Sequence, residues 1–457
     1  MPTALGQAYW VNHLLQDKSW GRILSYACAW INTFGWWTLS ASQLAFMNSF
    51  ACSMKTLFDN EFVATGWMQF LVYLGFTALL TGVNAVACRR DSFLPFFNNF
   101  VGVGFVALFL VFVLAMLISV GIKEDLEFQP PSFVFGAWIN NNGWPDGVTW
   151  FIGLVQAAYG LTAFDAAVHM VEEVPNPRKT IPRVLWLAVL LGATTGFIFM
   201  VACLFSIQSL DDVLSPTTGL PFMDLVAKSV GLEGGAVLLS LFIFNGLSQG
   251  VSVLTTGSRM TWGFARDGGL PYSTYFSHVD PVWRVPLRAL VLQGVLIGLV
   301  GVLYTFADTV LTAILSVSTI ALTISYALPI VALLVAGRDK LPPGGTFKLG
   351  KFGPFANYVS LVYCAITTVF FFFPGSPDPA PEDMNYAIAV FGIVLVVAVV
   401  FWFVRGRVEF LQIDGAMDRA IVARRVEGEA ASVGSNGAGA VAGGGSVGGT
   451  MSKSGKN

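Results

Sequence analysis

Ten stretches of the 457-residue chain are apolar and long enough, or nearly so, to cross a lipid bilayer, and they limit the fold more tightly than anything else in the sequence. A crossing helix needs roughly 20 residues at about 1.5 Å rise each, and inside hydrocarbon its backbone must satisfy its own N–H and C=O groups. The stretches run approximately over 23–51, 62–87, 95–122, 148–171, 184–208, 235–257, 287–305, 309–336, 355–373 and 386–404. With 55% hydrophobic and only 11% charged residues, the chain could not hide these runs in a water-soluble core. The expected fold is an all-α polytopic membrane protein.

Lys and Arg favour cytosolic loops, so real spans should sort the basic residues into alternate connections. One set of connections holds Lys18, Arg22, Arg89, Arg90, Arg178, Lys179, Arg183, Arg259, Arg266, Arg284, Arg288, Arg338, Lys340, Lys348, Lys351, Arg405 and Arg407. The opposite set holds only Lys55, Lys123 and Lys228, among acids such as Glu124, Asp125, Asp211, Asp212 and Asp378. Both termini are therefore expected in the cytosol, and a soluble helical protein would show no such asymmetry. Residues 1–22 read as a cytosolic lead-in, 23–405 as the transmembrane core, and 406–457 as a cytosolic, Gly/Ser/Ala-rich tail expected to be disordered. Residues 1–20 lack the pattern of a cleavable signal peptide.

Catalytic and cofactor chemistry find little to stand on. The cysteines Cys28, Cys52, Cys88, Cys203 and Cys364 are scattered singly, and His13, His169 and His278 are far apart in sequence, so neither a zinc site nor a disulfide framework is indicated. No Gly-rich phosphate loop suggests ATP-driven transport, and no nucleophile with a base suggests an enzyme. No cofactor, metal or nucleic-acid partner is expected; the partners are the bilayer and a small solute.

The best candidate for a binding element is Tyr159–Gly160–Leu161–Thr162–Ala163–Phe164–Asp165, at the end of the fourth stretch. A glycine, a hydroxyl and a carboxylate at membrane depth are what an interrupted helix at a binding site requires, because freed backbone groups need protein, water or ligand as partners. Gly160 permits backbone angles closed to other residues, and Tyr159 or Phe164 could cover a substrate as a cation–π face. Ordinary small-residue packing between helices is the competing explanation. Asp165 is the only acid well inside any span and must face the bundle interior. It reads either as a counter-charge or proton-coupling group, with His169 one turn on, or as the cap of a second half-helix.

Asn245, Ser248, Gln249 and Ser252 share one helical face and can line a wet path or hydrogen-bond between helices. Asn32, with Trp36 and Trp37, can border the same cavity from the first span, although tryptophans are also interface anchors. Asn98 and Asn99 suit a capping or loop role, and no lysine lies inside the third span to replace a coupling sodium ion.

Two cytosolic motifs follow. Glu172–Glu173–Val174–Pro175–Asn176–Pro177–Arg178–Lys179–Thr180–Ile181–Pro182–Arg183 is a proline-studded basic turn in which Thr180 is expected to cap the next helix. Arg178, Lys179 and Arg183 can fix orientation, touch anionic headgroups or pair with acids, for which Glu172 and Glu173 are candidates. Ser258–Arg259, then Phe264–Ala265–Arg266–Asp267–Gly268–Gly269–Leu270–Pro271, reads as a helical extension stopped by glycines and proline.

These two motifs, in this order and on the side the charges assign, resemble the fungal amino acid and choline (GABA-type) permeases of the amino acid-polyamine-organocation superfamily, from about Gly6 to about Arg407. The resemblance implies a secondary transporter of twelve helices, five of them repeated in inverted orientation, with the first and sixth broken at mid-membrane to hold a substrate's carboxylate and amine. The span at 148–171 corresponds to the sixth helix, and Ala4–Trp10 resembles the end of the second. Two N-terminal helices of that pattern, the first broken helix included, have no counterpart here, so a truncated transporter is the expectation. The implied activity is alternating-access transport of an amino acid, γ-aminobutyrate or choline, coupled to protons, in the plasma membrane rather than the vacuole. The alternative is a non-transporting permease chain acting as a membrane sensor or assembly partner.

Overall fold

The computed structural model describes residues 3–89, 93–283, 285–305, 310–341, 347, 349–380 and 384–411, with the backbone alone at 310–315. Arg90, Arg284 and Lys348 of the basic set, position 309 of the eighth stretch and the tail beyond Leu411 lie outside the described residues.

Helices α1 (Gln7–Leu14), α2 (Gly21–Thr56), α3 (Gly66–Ala87), α4 (Phe93–Ile122), α5 (Pro131–Gly136) and α6 (Asp146–Gly160) lead to the short α7 (Ala166–His169). Then come α8 (Pro177–Ser206), α9 (Leu210–Leu214), α10 (Pro221–Val230), α11 (Leu232–Arg266), α12 (Ser273–Phe276) and α13 (Leu287–Gly301). The described chain ends with α14 (Val310–Ala336), α15 (Phe352–Phe370), α16 (Ala387–Phe401) and α17 (Arg407–Glu409). Among the described residues no strand occurs.

Among the described residues, eight helical segments are long and apolar enough to cross a membrane. Their outward faces carry large bare hydrophobics, such as Leu190, Phe197 and Met200 on α8 and Val103, Leu114 and Ile118 on α4. In water such faces would associate; against lipid tails they cost nothing. The chain is an all-α polytopic membrane protein.

Helix α2 is not among the eight, and its position explains why. It is about 54 Å long at 1.5 Å per residue, more than the roughly 30 Å of hydrocarbon, and it runs through the middle of the bundle. Its buried residues include Ser25, Asn32, Thr33, Ser40, Ser42 and Asn48. A helix surrounded by protein has no need of lipid-compatible hydropathy, so the most central element is the less apolar one. Helix α11 packs closely on it. A Cβ placed on Gly246 would lie 2.2 Å from Met47 Sδ, so only glycine lets the two helices approach this far.

The segment 406–411 belongs to the body. Phe410 is fully buried in one core with Tyr26 and Phe264, and the Leu411 N–H donates to the Asp267 oxygen. The boundary expected at 406 therefore falls inside folded structure, because one aromatic anchor and one backbone bond hold this end down.

Candidate functional site

The apolar run over 148–171 is not one helix. Helix α6 stops at Gly160, Leu161 to Asp165 follow an irregular path, and α7 resumes at Ala166. The left-handed residue is Ala163 at φ 67, whereas Gly160 stays helical. The expectation that Gly160 supplies the unusual backbone angle is therefore corrected: a Cβ there would meet nothing within 4 Å, so its contribution is open space. The Thr162 hydroxyl donates back to the Ala158 oxygen at 2.7 Å, a carbonyl that also accepts from the Leu161 N–H at the end of α6. Tyr159 OH meets Ser42 Oγ at 2.9 Å, and the Phe164 ring lies 4.6 Å from that of Tyr326.

Asp165 stands at the start of α7 without a capping hydrogen bond from its side chain. Its carboxylate is used by tertiary neighbours instead. Tyr326 of α14 donates to Oδ1 at 2.8 Å, and Gln7 of α1 donates to Oδ2 at 2.6 Å. His169 Nε2 lies 3.1 Å from the same Oδ2, while Nδ1 meets the Ala4 oxygen at 2.9 Å. Asn32 donates to Gln7 Oε1 at 3.2 Å, and Trp36 lies edge-on to the His169 ring. The contact of this N-terminal segment with α7 depends on Gly6, at φ 56, where a Cβ would come within 3.0 Å of Val168 Cγ1.

A cavity of about 450 Å³ opens on the other side of the break. Phe46 and Phe50 of α2, Phe105, Phe109 and Phe112 of α4, Phe199 of α8 and Phe242 of α11 wall it, with Gln43, Asn245 and Gln249 as its carboxamides and Gly160 at its end. Among the described residues, no Lys, Arg, Asp or Glu lines it. A smaller hollow of about 140 Å³ runs along Gly160–Phe164 and shares Gly160 and Gly192 with it.

The structure thus divides the expected site residues. Gly160, Asn245 and Gln249 share the large cavity; Leu161, Thr162, Ala163 and Phe164 line the small one; Tyr159 packs beside Ser42 and Phe46. Asp165, His169 and Asn32 form a separate buried cluster that does not line the cavity. Ser248 bonds within its own helix to the Phe244 oxygen, and Ser252 donates to Asn98 on α4. Gln249 donates to Asn245 at 2.7 Å. Trp37 donates to Thr261 rather than bordering the cavity.

Sequence reading missed Gln7, Gln43 and Tyr326. A signal existed for Tyr326, the only aromatic residue within 309–336.

The two motifs, Glu172–Arg183 and Ser258–Pro271, meet each other. Glu172 receives Arg266 at 2.9 Å and the Ala4 N–H at 3.1 Å, and Glu173 receives Arg259 at 3.0 Å. Asn176, left-handed at φ 49, precedes α8, with Pro177 at its first position and Arg178 in its first turn. Thr180 therefore does not cap α8, as expected from sequence, but lies inside it and turns its hydroxyl to the Pro175 oxygen at 3.2 Å. Proline fits the first helical position because its missing N–H has no partner there. Pro182 falls inside the helix. The Ser258 hydroxyl is spent on the Thr255 oxygen, and the chain leaves α11 through Asp267 and the left-handed Gly268, at φ 77.

A polytopic helical body with a cavity beside an interrupted helix is what a membrane transporter requires, and the family and relatives that the chain matches are of that class. The profile of the family described as "Amino acid permease" matches residues 1–398. A choline transporter of Saccharomyces cerevisiae is 31% identical over 411 residues, covering 90% of this chain and 71% of the relative. A transmembrane transporter of Metarhizium robertsii is 27% identical over 411 residues, 89% and 79% of the two chains. Amino-acid permease 2 of Neurospora crassa is 28% identical over 307 residues, 66% and 56%. The chain belongs to the amino acid permease family.

Proposed function

We propose that the protein carries a small amine across the membrane by alternating access, with the cavity at Gly160 as the substrate chamber and the proton as coupling ion. The supporting observation is the chemistry of the walls. Phenylalanine faces attract a cation through the ring quadrupole, and the negative end of the α6 dipole, at Gly160, adds to that attraction. Gln43, Asn245 and Gln249 offer donors and acceptors for a substrate's hydroxyl or carboxylate. Without a fixed opposite charge, the chamber favours amines with an apolar shell, such as choline, γ-aminobutyrate or an amino acid, over strongly charged solutes. Relatives named as a choline transporter and an amino-acid permease point the same way. Proton coupling draws on the resemblance to fungal permeases and on the buried Asp165–His169 pair. The charge asymmetry of the connections supports a cytosolic position for both termini, and the plasma membrane is the proposed site of action.

Uptake of labelled choline, γ-aminobutyrate and amino acids in permease-deficient cells tests this reading. Gln249→Leu should raise the apparent KM of the transported amine about tenfold at unchanged surface expression, the factor for one lost hydrogen bond of roughly 1.4 kcal/mol. Asp165→Asn should remove the pH dependence of uptake. Absence of uptake for every amine, in a chain that reaches the surface, would end the proposal.

A further inference from the structure

The contacts of His169 fix a proton count. Its Nδ1 faces a main-chain oxygen, that of Ala4, which can only accept, so Nδ1 carries its hydrogen. A neutral imidazole then presents a bare Nε2 to Oδ2 of Asp165, 3.1 Å away. Bare nitrogen against ionised carboxylate is a contact between two acceptors. Asn32 Nδ2 reaches Nε2 only at 3.5 Å, the limit of hydrogen-bond distance, so the closer contact with Oδ2 closes with one more proton, either on Nε2, as imidazolium against carboxylate, or on Oδ2, as neutral acid donating to neutral imidazole. In both forms the pair has no net charge, which suits residues only 1% and 2% exposed.

We propose that Asp165 and His169 form a proton-binding site, and that the bound proton fastens residues Thr3 to Gln7 onto the broken helix. This deepens the coupling part of the transporter reading. When the proton leaves for water, imidazole must give up one of its two contacts. If Nδ1 keeps the hydrogen, Nε2 repels Asp165; if the hydrogen moves to Nε2, Nδ1 repels Ala4. Either way the segment loses a buried tie.

The surrounding groups leave the titration to the pair. Helix α14 contributes Tyr326, α1 contributes Gln7, and α2 contributes Asn32 and Trp36. From α8 the neighbours of α7 are apolar, Ile181 and Leu185. Glu172 and Glu173 are held in ion pairs with Arg266 and Arg259 of α11.

Thr3 provides the probe, because it is 2% exposed and its hydroxyl lacks a partner. The full chain carrying Thr3→Cys, in nanodiscs, is labelled with a water-soluble maleimide from about pH 5 to about pH 9. Labelling of the unsubstituted chain corrects for the native cysteines. Each rate is divided by that of Thr3→Cys/Asp165→Asn in the same buffer, which cancels the thiol's own titration. The asparagine N–H stands where the acid O–H would be and cannot be titrated away. The expected ratio is near one at low pH and rises about tenfold at high pH, the factor for one lost buried hydrogen bond. A flat ratio overturns the proposal. A second reference, Thr3→Cys/His169→Gln, should give the same rise, and a flat ratio to it overturns the proposal even if Asp165→Asn fails to fold. No transport enters the readout, so loss of uptake and loss of the pH-dependent labelling are separable results.

Discussion

Ala163 is one of four non-glycine residues among those described that hold a positive φ, and it lies in the break itself. A left-handed alanine costs roughly 1–2 kcal/mol, and such strain persists only where the surroundings impose it. Ala163→Gly relieves the strain while giving the unfolded chain back about 0.4–1 kcal/mol of freedom. Its melting temperature should therefore not fall below that of the parent in nanodisc fluorescence melts. A β-branched side chain fits this region worse still, so Ala163→Val should destabilise by at least about 1 kcal/mol in the same measurement. Sequence reading set the unwound segment at Tyr159–Phe164, where glycine and threonine interrupt an apolar run; the break falls at Leu161–Asp165, and Tyr159 and Gly160 stay helical. It assigned the strained angle to Gly160 because glycine is the usual occupant. The choice of Ala163 was illegible, because it is set by where α7 must begin for Asp165 to reach Tyr326 and Gln7.

Among the elements, the pair α2 and α11 governs the cavity. Gly246→Leu would push the helices apart and fill the chamber, so it should cost roughly 1–3 kcal/mol of stability and abolish uptake, whereas a leucine at the open Gly153 should do neither. At one end of the bundle, α11 and the turn before α8 are joined by ion pairs of unequal exposure. The Arg259 side chain is 8% exposed and that of Glu173 56%. Removing the acid strands a buried cation, which is the costlier loss. Glu173→Ala should lower the melting temperature by the equivalent of about 1 kcal/mol, a figure already reduced for the exposure of the carboxylate. Loss of the same stability in 1 M salt by the parent would show that screening alone accounts for it. Both motifs were readable as motifs; that each supplies the other's counter-ions was not, because the partners are 86 and 94 residues apart.

Across the whole molecule, connections far apart in sequence are also tied on the surface, where Lys340 meets Asp17 at 2.5 Å across 323 residues. The Lys340 hydrogen bond, with its charge, holds the Asp17 carboxyl below the usual carboxylate range. The sign follows from that depression: the tie is fully present above the unfolded value, near about 3.9, and is lost as pH falls through the lower folded value. Lys340→Ala should return Asp17 to the ordinary range in an NMR titration, and an unchanged titration would assign the depression to another cause.

The apolar runs, the alternation of basic loops and the two motifs sufficed for a helical membrane fold and for its family, because burial in lipid is decided residue by residue along the chain. They also marked α6 as interrupted. Only the tertiary structure decided which polar groups share a space. It separated Asp165 from the cavity that Asn245 and Gln249 line, and joined it to Gln7 and Tyr326, residues 158 and 161 positions away. Hydropathy is a sum over neighbours in sequence; a buried hydrogen-bond network depends on distances that only the packing of helices sets.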